Sequence, residues 1–262
     1  MTLRIVHLSD IHFGGEIPEA TEAAIEAVAA FAPTLTAVTG DLTLNGLPRE
    51  FRAAAAWLAR LPPERLVTPG NHDTPYWNLA LRALVPFERY RRYIGPAAAG
   101  RFDAPGLAAR SLNSARGAQP RLNWSQGAIS VRDMARIDWG PRLEGALRLF
   151  ACHHPLIDIE GAPVTGGVHR GAKAADLLVA AGVELILTGH VHNPFVLPLG
   201  RGHGACYAIG AGTLSKRTRG TPPSFTTLVA DAARIEVTTI GWTEGRFEPI
   251  QSWTLARRPA EA

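Results

Sequence analysis

Apolar and polar positions alternate with changing period along this chain, and the changes mark out its elements. Residues 3–10, LRIVHLSD, run through branched apolar side chains and stop on a carboxylate, the pattern of a buried strand. Residues 18–32, PEATEAAIEAVAAFA, are alanine-rich with Pro18 near the start and acidic residues in the first turns, which predicts a helix. TLTAVTGD (34–41) is a second strand closed by an aspartate, PREFRAAAAWLARLP (48–62) a second helix, and RLVTPGNHD (65–73) a third strand ending in polar residues. A βαβαβ order of this kind implies a parallel sheet with right-handed crossovers. Ligand sites in such sheets form outside the carboxyl ends of the strands.

Residues 74–105 break the rhythm. They are aromatic and arginine-rich, helical in parts, and interrupted at Pro86 and Pro96, so they read as an insertion on the substrate side. In it, Trp77, Tyr90 and Tyr93 with Arg89, Arg91 and Arg92 form either a wall for a base or acyl chain or an ordinary amphipathic helix with snorkelling arginines. Beyond it, LAARSLNSAR (107–116) predicts a strand, SVRDMARIDWG (130–140) a helix, ALRLFACHHP (146–155) a strand, RGAKAADLLVAAG (170–182) a helix, and VELILTGHVH (183–192) a strand. ACYAIGAG, SFTTLVAD, ARIEVTTIGW and RFEPIQSWTL then follow as short strands at hairpin spacing, and residues 256–262 read as a loose tail. The chain begins as α/β and finishes as a β meander, which suggests two packed sheets with helices outside. With no linker or internal repeat, residues 1–262 are expected to form a single domain.

Composition narrows the function classes. Of the 262 residues, 46% are hydrophobic, enough to bury a sizeable core. The net charge is +4 and lysine occurs only at Lys173 and Lys216. That mild arginine excess suits an anionic substrate and is too weak for a nucleic-acid polymer as partner. Cys152 and Cys206 do not make a disulfide framework, the N-terminus does not read as a secretory signal, and no apolar run reaches membrane-spanning length, so a cytoplasmic protein is expected. Composition sets no oligomeric state.

The polar strand ends carry the chemistry: Asp10 and His12; Asp41; Asn71, His72 and Asp73; His153 and His154; His190 and His192. One such aspartate would be a cap or a turn former. Five ends bringing oxygen and imidazole donors to one edge, with Gly40, Gly70 and Gly189 beside them, are not explained as caps. His7 lies inside the first strand and reads as a core histidine, and His203 as a loop residue.

The blocks DIH, GD, GNHD, HHP and GHVH, in this order from Asp10 to His192, resemble the signature of the calcineurin-like metallophosphoesterases, with the class III cyclic-nucleotide phosphodiesterases nearest in build. The resemblance implies a four-layer αββα sandwich of two mixed β-sheets flanked by helices, with a dinuclear metal centre. Asp10, His12 and His192 would hold the first ion, Asp41 would bridge, and Asn71, one histidine of HHP and His190 would complete the second. Adjacent residues in an extended segment point in opposite directions, and relatives with one histidine here keep the first, so His153 is expected as the ligand. His154 is then expected either behind the ligands or facing substrate. His72 is expected to contact substrate or act as general acid, with Asp73 orienting it. Nitrogen and carboxylate donors without thiolate favour two divalent ions among Mn, Fe, Co and Zn. Leu44 stands where purple acid phosphatases carry a metal-binding tyrosine, which argues against a coloured ferric site.

The function implied is hydrolysis of a small phosphate ester, a phosphodiester with cyclic nucleotides among the candidates, by a metal-bridging hydroxide. The alternatives are a sugar-nucleotide or lipid-linked pyrophosphatase and, from another class, an inactive binding scaffold.

Overall fold

The computed structural model describes residues 2–96, 99–120, 123–141, 145–159, 168–199 and 205–258. Strand β1 (Leu3–Leu8) leads to helix α1 (Pro18–Phe31), β2 (Leu35–Thr39), α2 (Pro48–Leu58) and β3 (Arg65–Thr68), the predicted βαβαβ order. Two short helices, α3 (Leu79–Leu84) and α4 (Glu88–Tyr93), precede β4 (Ala99–Ala104) and β5 (Leu107–Leu112). Then come α5 (Val131–Met134), β6 (Leu147–Ala151), α6 (Gly171–Ala180), β7 (Leu185–Thr188), β8 (Phe195–Pro198) and β9 (Tyr207–Gly210). The chain closes with β10 (Ser224–Ala230), β11 (Arg234–Thr243) and β12 (Arg246–Ala256).

These strands form two six-stranded mixed sheets, ordered β12-β11-β10-β1-β2-β3 and β4-β5-β6-β7-β9-β8. Strand alternation builds the layers. Leu3 and Ile5 of β1 face Leu149, Leu187 and Ile209 across the inter-sheet core, while Val6 and Leu8 pack outward on Ala24, Val28, Phe51 and Trp57 of α1 and α2. On the other side, Phe150 and Ile186 cover Met134, Ala174 and Leu178 of α5 and α6. The result is the expected αββα sandwich. His7 is fully buried in the core as expected, with Nε2 2.9 Å from Thr39 Oγ1, but its Nδ1 has no hydrogen-bond partner.

Four expectations need correction. The last four strands are not one meander: β9 pairs parallel with β7 in the second sheet, and only β10, β11 and β12 run as antiparallel neighbours. The helix expected over 130–140 is a single turn, capped by Ser130 and followed by a turn and loop. The segment 74–105 is not all insertion, because β4 pairs with β5 as the edge of the second sheet. Ala256 and Arg257 are not a loose tail: Arg257 is buried and grips Glu184 through Nε and Nη2 at 3.1 and 2.7 Å. That fork joins the end of β12 to the start of β7, and so one sheet to the other. Residues 259–262 and His203 lie outside the described residues.

Candidate metal centre

The carboxyl ends of β1, β2, β3, β6 and β7 meet at one edge of the sandwich, and short backbone bonds lace their loops together. Asp10 N donates to Gly40 O at 3.0 Å, His12 N to Asp41 O at 2.9 Å, and Gly189 N to His153 O at 2.9 Å. His190 N donates to Asp10 Oδ2 at 2.9 Å, which ties the second sheet to the first.

The chain turns sharply to aim these side chains. Asp10, His12, Asp41, His190 and His192 all have φ between 51° and 71°, the left-handed region that side chains disfavour. They are five of the eight non-glycine residues with positive φ among the described residues, so backbone strain is concentrated here. Two glycines make room. A Cβ on Gly189 would lie 1.8 Å from Ser9 Oγ and 2.4 Å from Asp10 Oδ2, and one on Gly40 2.8 Å from His153 Nδ1.

The imidazoles are held in one orientation. Nδ1 of His12, His153 and His192 lies 3.3, 2.6 and 2.7 Å from the carbonyl oxygens of Thr43, Thr39 and Arg217. A carbonyl only accepts, so each Nδ1 carries the hydrogen and each Nε2 is turned inward. There they meet further acceptors. His192 Nε2 lies 3.1 Å from Asp10 Oδ1 and 3.2 Å from His12 Nε2, and His153 Nε2 lies 3.3 Å from Asp41 Oδ2 and 3.2 Å from Asn71 Oδ1. Asp10 Oδ1 is buried and accepts no hydrogen bond. Lone pairs facing carboxylate oxygens repel unless positive charge lies between them, so the donor set fits cations. Ligand atoms lying within 4.8 Å of one another define the groups Asp10–His12–His192 and Asp10–Asp41–His153, and a third, His12–Asp41–His72, again includes Asp41. Asp10 and Asp41 are each common to two groups, and a carboxylate so shared is placed to bridge two ions.

The electrostatics agree. Burial lowers the pKa of His153, but the adjacent Asp41 carboxylate overrides it and lifts the ring to about 9. A proton there serves the need a cation would meet. His12 and His190 are pushed down to about 3, chiefly by burial. Asp10 stays below the usual carboxylate range although burial opposes it, because His192 and then His153 favour the charge.

The two neighbouring histidines separate. His154 is fully buried, with Nδ1 2.8 Å from Ser114 Oγ and Nε2 2.9 Å from Ser125 O. It groups with His153 and His190 by distance, but both its nitrogens are engaged. Fully buried with Ser114 and Ser125 on its two nitrogens, it lies behind the inward-facing rings, the first of its two expected placements, and has no nitrogen free to face substrate. Asp73 does not orient His72, which corrects that expectation. Its carboxylate accepts from Leu42 N, Gly70 N, Thr43 N and Thr43 Oγ1 at 2.9–3.2 Å and pins the turns after β2 and β3. His72 is held instead by Leu44 O, 2.7 Å from its Nδ1.

Beside His72 opens a pocket of about 620 Å³ lined by Tyr76, Trp77, Arg82, Trp124 and Arg217 among others. Of the aromatic wall expected in 74–105, only Trp77 borders it. Tyr90 is buried edge-on to Phe51 and Tyr93 stacks on Phe51, so both belong to the core under α2. Arg217 was not foreseen. KRTRG reads as a solvated basic run, and only the parallel pairing of β9 with β7, which the sequence does not show, brings the segment after β9 to the same sheet edge. A pocket of about 670 Å³ by β4, β5 and α5 is bordered by none of the strand-end donors, and its Arg101 and Arg110 pair with Asp103.

The sequence profile described as calcineurin-like phosphoesterase matches residues 3–194. No curated protein matches the sequence. Among solved structures, a dimetal phosphatase from Danio rerio superposes with a TM-score of 0.64 at 12% identity, covering 97% of this chain and 98% of that one. GAP50, described as the anchor in the inner membrane complex of Plasmodium, gives 0.61 at 14% identity over 99% and 90%. A purple acid phosphatase from yellow lupin seeds gives 0.59 at 15% identity, covering 98% of this chain and 54% of that one. At such identities these likenesses bear on the fold alone.

Proposed function

The chain belongs to the calcineurin-like phosphoesterase family, and on that premise we propose that it is a metal-dependent phosphodiesterase acting on a small phosphate ester. The observation that carries this reading is the set of inward Nε2 atoms facing Asp10, Asp41 and Asn71. Asp10, His12 and His192 would hold one divalent ion, Asn71, His153 and His190 the other, and Asp41 both. Such a pair supplies Lewis acidity toward a phosphoryl oxygen and a nucleophile at neutral pH. The protein's own part is to keep the imidazoles in one tautomer through Thr39, Thr43 and Arg217, and to present His72 to the leaving side of the substrate. Of the donors, only Asp10 and Asp41 are carboxylates, so two divalent ions leave the centre positive and attractive to a phosphoryl anion. The pocket beside His72 gives a diester's second organic arm somewhere to lie.

One feature favours a second reading, cleavage of a sugar-nucleotide or lipid-linked pyrophosphate. Tyr76, Trp77, Leu79 and Leu84 are four of the five exposed large apolar residues described, Trp77 at 74% and Leu84 at 80%. An apolar lip of this kind suits a lipid substrate. A cytoplasmic setting is supported by the two buried free thiols, Cys152 and Cys206. No helix among the described residues is long and apolar enough to cross a membrane.

The test is metal analysis followed by a substrate panel on stripped protein given Mn: an aryl diester, a 3′,5′-cyclic nucleotide and a lipid-linked diphosphate. Hydrolysis of the diesters supports the first reading, and preference for the diphosphate the second. A protein that binds no metal and cleaves none of them is not a phosphoesterase.

A further inference from the structure

Arg217 holds an unusual position for a cation with no carboxylate partner. Its backbone is fixed on both sides by the first ion's residues. Its N–H donates to Ser215 Oγ at 3.2 Å, Ser215 Oγ lies 2.7 Å from Thr213 Oγ1, and Thr213 Oγ1 donates to Asp10 O at 2.5 Å. Its carbonyl accepts from His192 Nδ1. The side chain reaches the other way, where Nη1 donates to His72 Nε2 at 2.9 Å. Among the described residues no carboxylate pairs with it, and it borders the pocket that also exposes Asn71 and His72.

A second observation lies two residues on. Arg219 Nη1 is buried without a hydrogen-bond partner. Burial, and then the charge of Arg217, lower the pKa of this guanidinium. Arg219 thus lies within electrostatic reach of Arg217 with a bare buried nitrogen, although only Arg217 lines the pocket, where it rests on an imidazole. The missing member of this arrangement is an anion.

We propose that Arg217, with Arg219 beside it, is the anchor for a non-bridging phosphoryl oxygen of the substrate, and that its bond to His72 holds that place in the free protein. This rests on the phosphoesterase reading and adds the residues that grip the charged end of the ester. A phosphoryl oxygen offers the guanidinium an opposite charge and a geometry for two parallel N–H···O bonds, where the imidazole offers one neutral lone pair, so an arriving phosphoryl group takes Arg217 away from His72. That exchange frees the Nε2 lone pair of His72, whose hydrogen is held at Nδ1 by Leu44 O, to orient a water that can give its proton to the leaving oxygen once substrate is in place. The rigid backbone beneath Arg217 keeps the side chain near the centre at little entropic cost.

The experiment measures inorganic phosphate binding by calorimetry to the Mn-loaded protein, with metal content determined on the same samples. Arg217→Ala is expected to keep its metal, since His192 uses only the backbone carbonyl, and to bind phosphate about 10- to 100-fold more weakly. Arg217→Lys, which keeps the charge but not the fork, is expected to fall between, and Arg219→Ala to weaken binding by a smaller factor than Arg217→Ala. Phosphate affinity within threefold of the parent in Arg217→Ala would overturn the proposal. So would loss of metal from that variant, which would make the residue a support for His192. Phosphate affinity is read without turnover. A parent protein that binds metal and phosphate but cleaves no ester would therefore sink the phosphoesterase reading and leave the Arg217 comparison standing.

Discussion

At the scale of single residues, the hydrogen bonds at each ring divide rings with a nitrogen free for an ion from rings with none. His153 spends Nδ1 on Thr39 O and turns Nε2 to Asp41 and Asn71, whereas His154 spends both nitrogens on Ser114 and Ser125. His153→Ala is therefore expected to lose one of two metal equivalents in elemental analysis, and His154→Ala to keep both. The reverse result would exchange their roles. Asp73 makes a different prediction. Four donors converge on its carboxylate, and Asp73→Ala would leave buried N–H groups unpaired. A loss of about 2–4 kcal/mol in denaturant unfolding is expected. A variant as stable as the parent would show that those turns hold without it. Both roles were half visible in the sequence. Adjacency argued that HHP could give one ligand, but the direction of Asp73 depends on where the loop after β2 lies, which no local pattern encodes.

At the scale of elements, the legible parts are those whose two faces are both buried. β1, β2, β6 and β7 show continuous apolar runs because helices cover one face and the other sheet covers the second. β4, AGRFDA, was unreadable for the opposite reason: it is an edge strand whose Arg101 and Asp103 pair at the surface. β8 is likewise an edge, and β9 gave no hint that its partner is β7 and not the strand that follows. The strand-to-loop turns are the elements on which the site depends. Gly189→Ala would drive a Cβ into Ser9 and Asp10, so at least tenfold weaker metal binding is expected, with the sheets intact by circular dichroism. Unchanged affinity would mean that the loop yields. By contrast Phe51→Ala, under α4 and remote from the ligands, is expected to cost about 3–5 kcal/mol of stability while leaving metal stoichiometry unchanged.

At the scale of the whole molecule, the buried histidines set a pH dependence for the metal-free protein. His153, raised to about 9, holds a proton when folded that the unfolded chain releases near 6.5. Its contribution is complete below about 6.5 and fades as pH rises through about 9. His7, His12 and His190, lowered to about 3 chiefly by burial, act in the other sense. Below about 6.5 the unfolded chain takes up protons that the folded one refuses, and stability falls. Asp73, raised to about 7 by burial and then by Asp41, subtracts from that slope without reversing it. The metal-free melting temperature is thus expected to peak between about pH 6 and 7, and Mn, replacing the proton on His153, to flatten the alkaline side. A melting temperature constant from acid to alkaline pH would contradict the assignment. The five left-handed turns carry a consequence for how the ions arrive. Backbone bonds between the strand-end loops brace the turns at Asp10, His12 and His190, so ion binding should spend little affinity on chain ordering. Uptake is then an exchange of a bound proton for an ion within a finished cradle. Its pace should follow the departure of water and of that proton, not the motion of a loop.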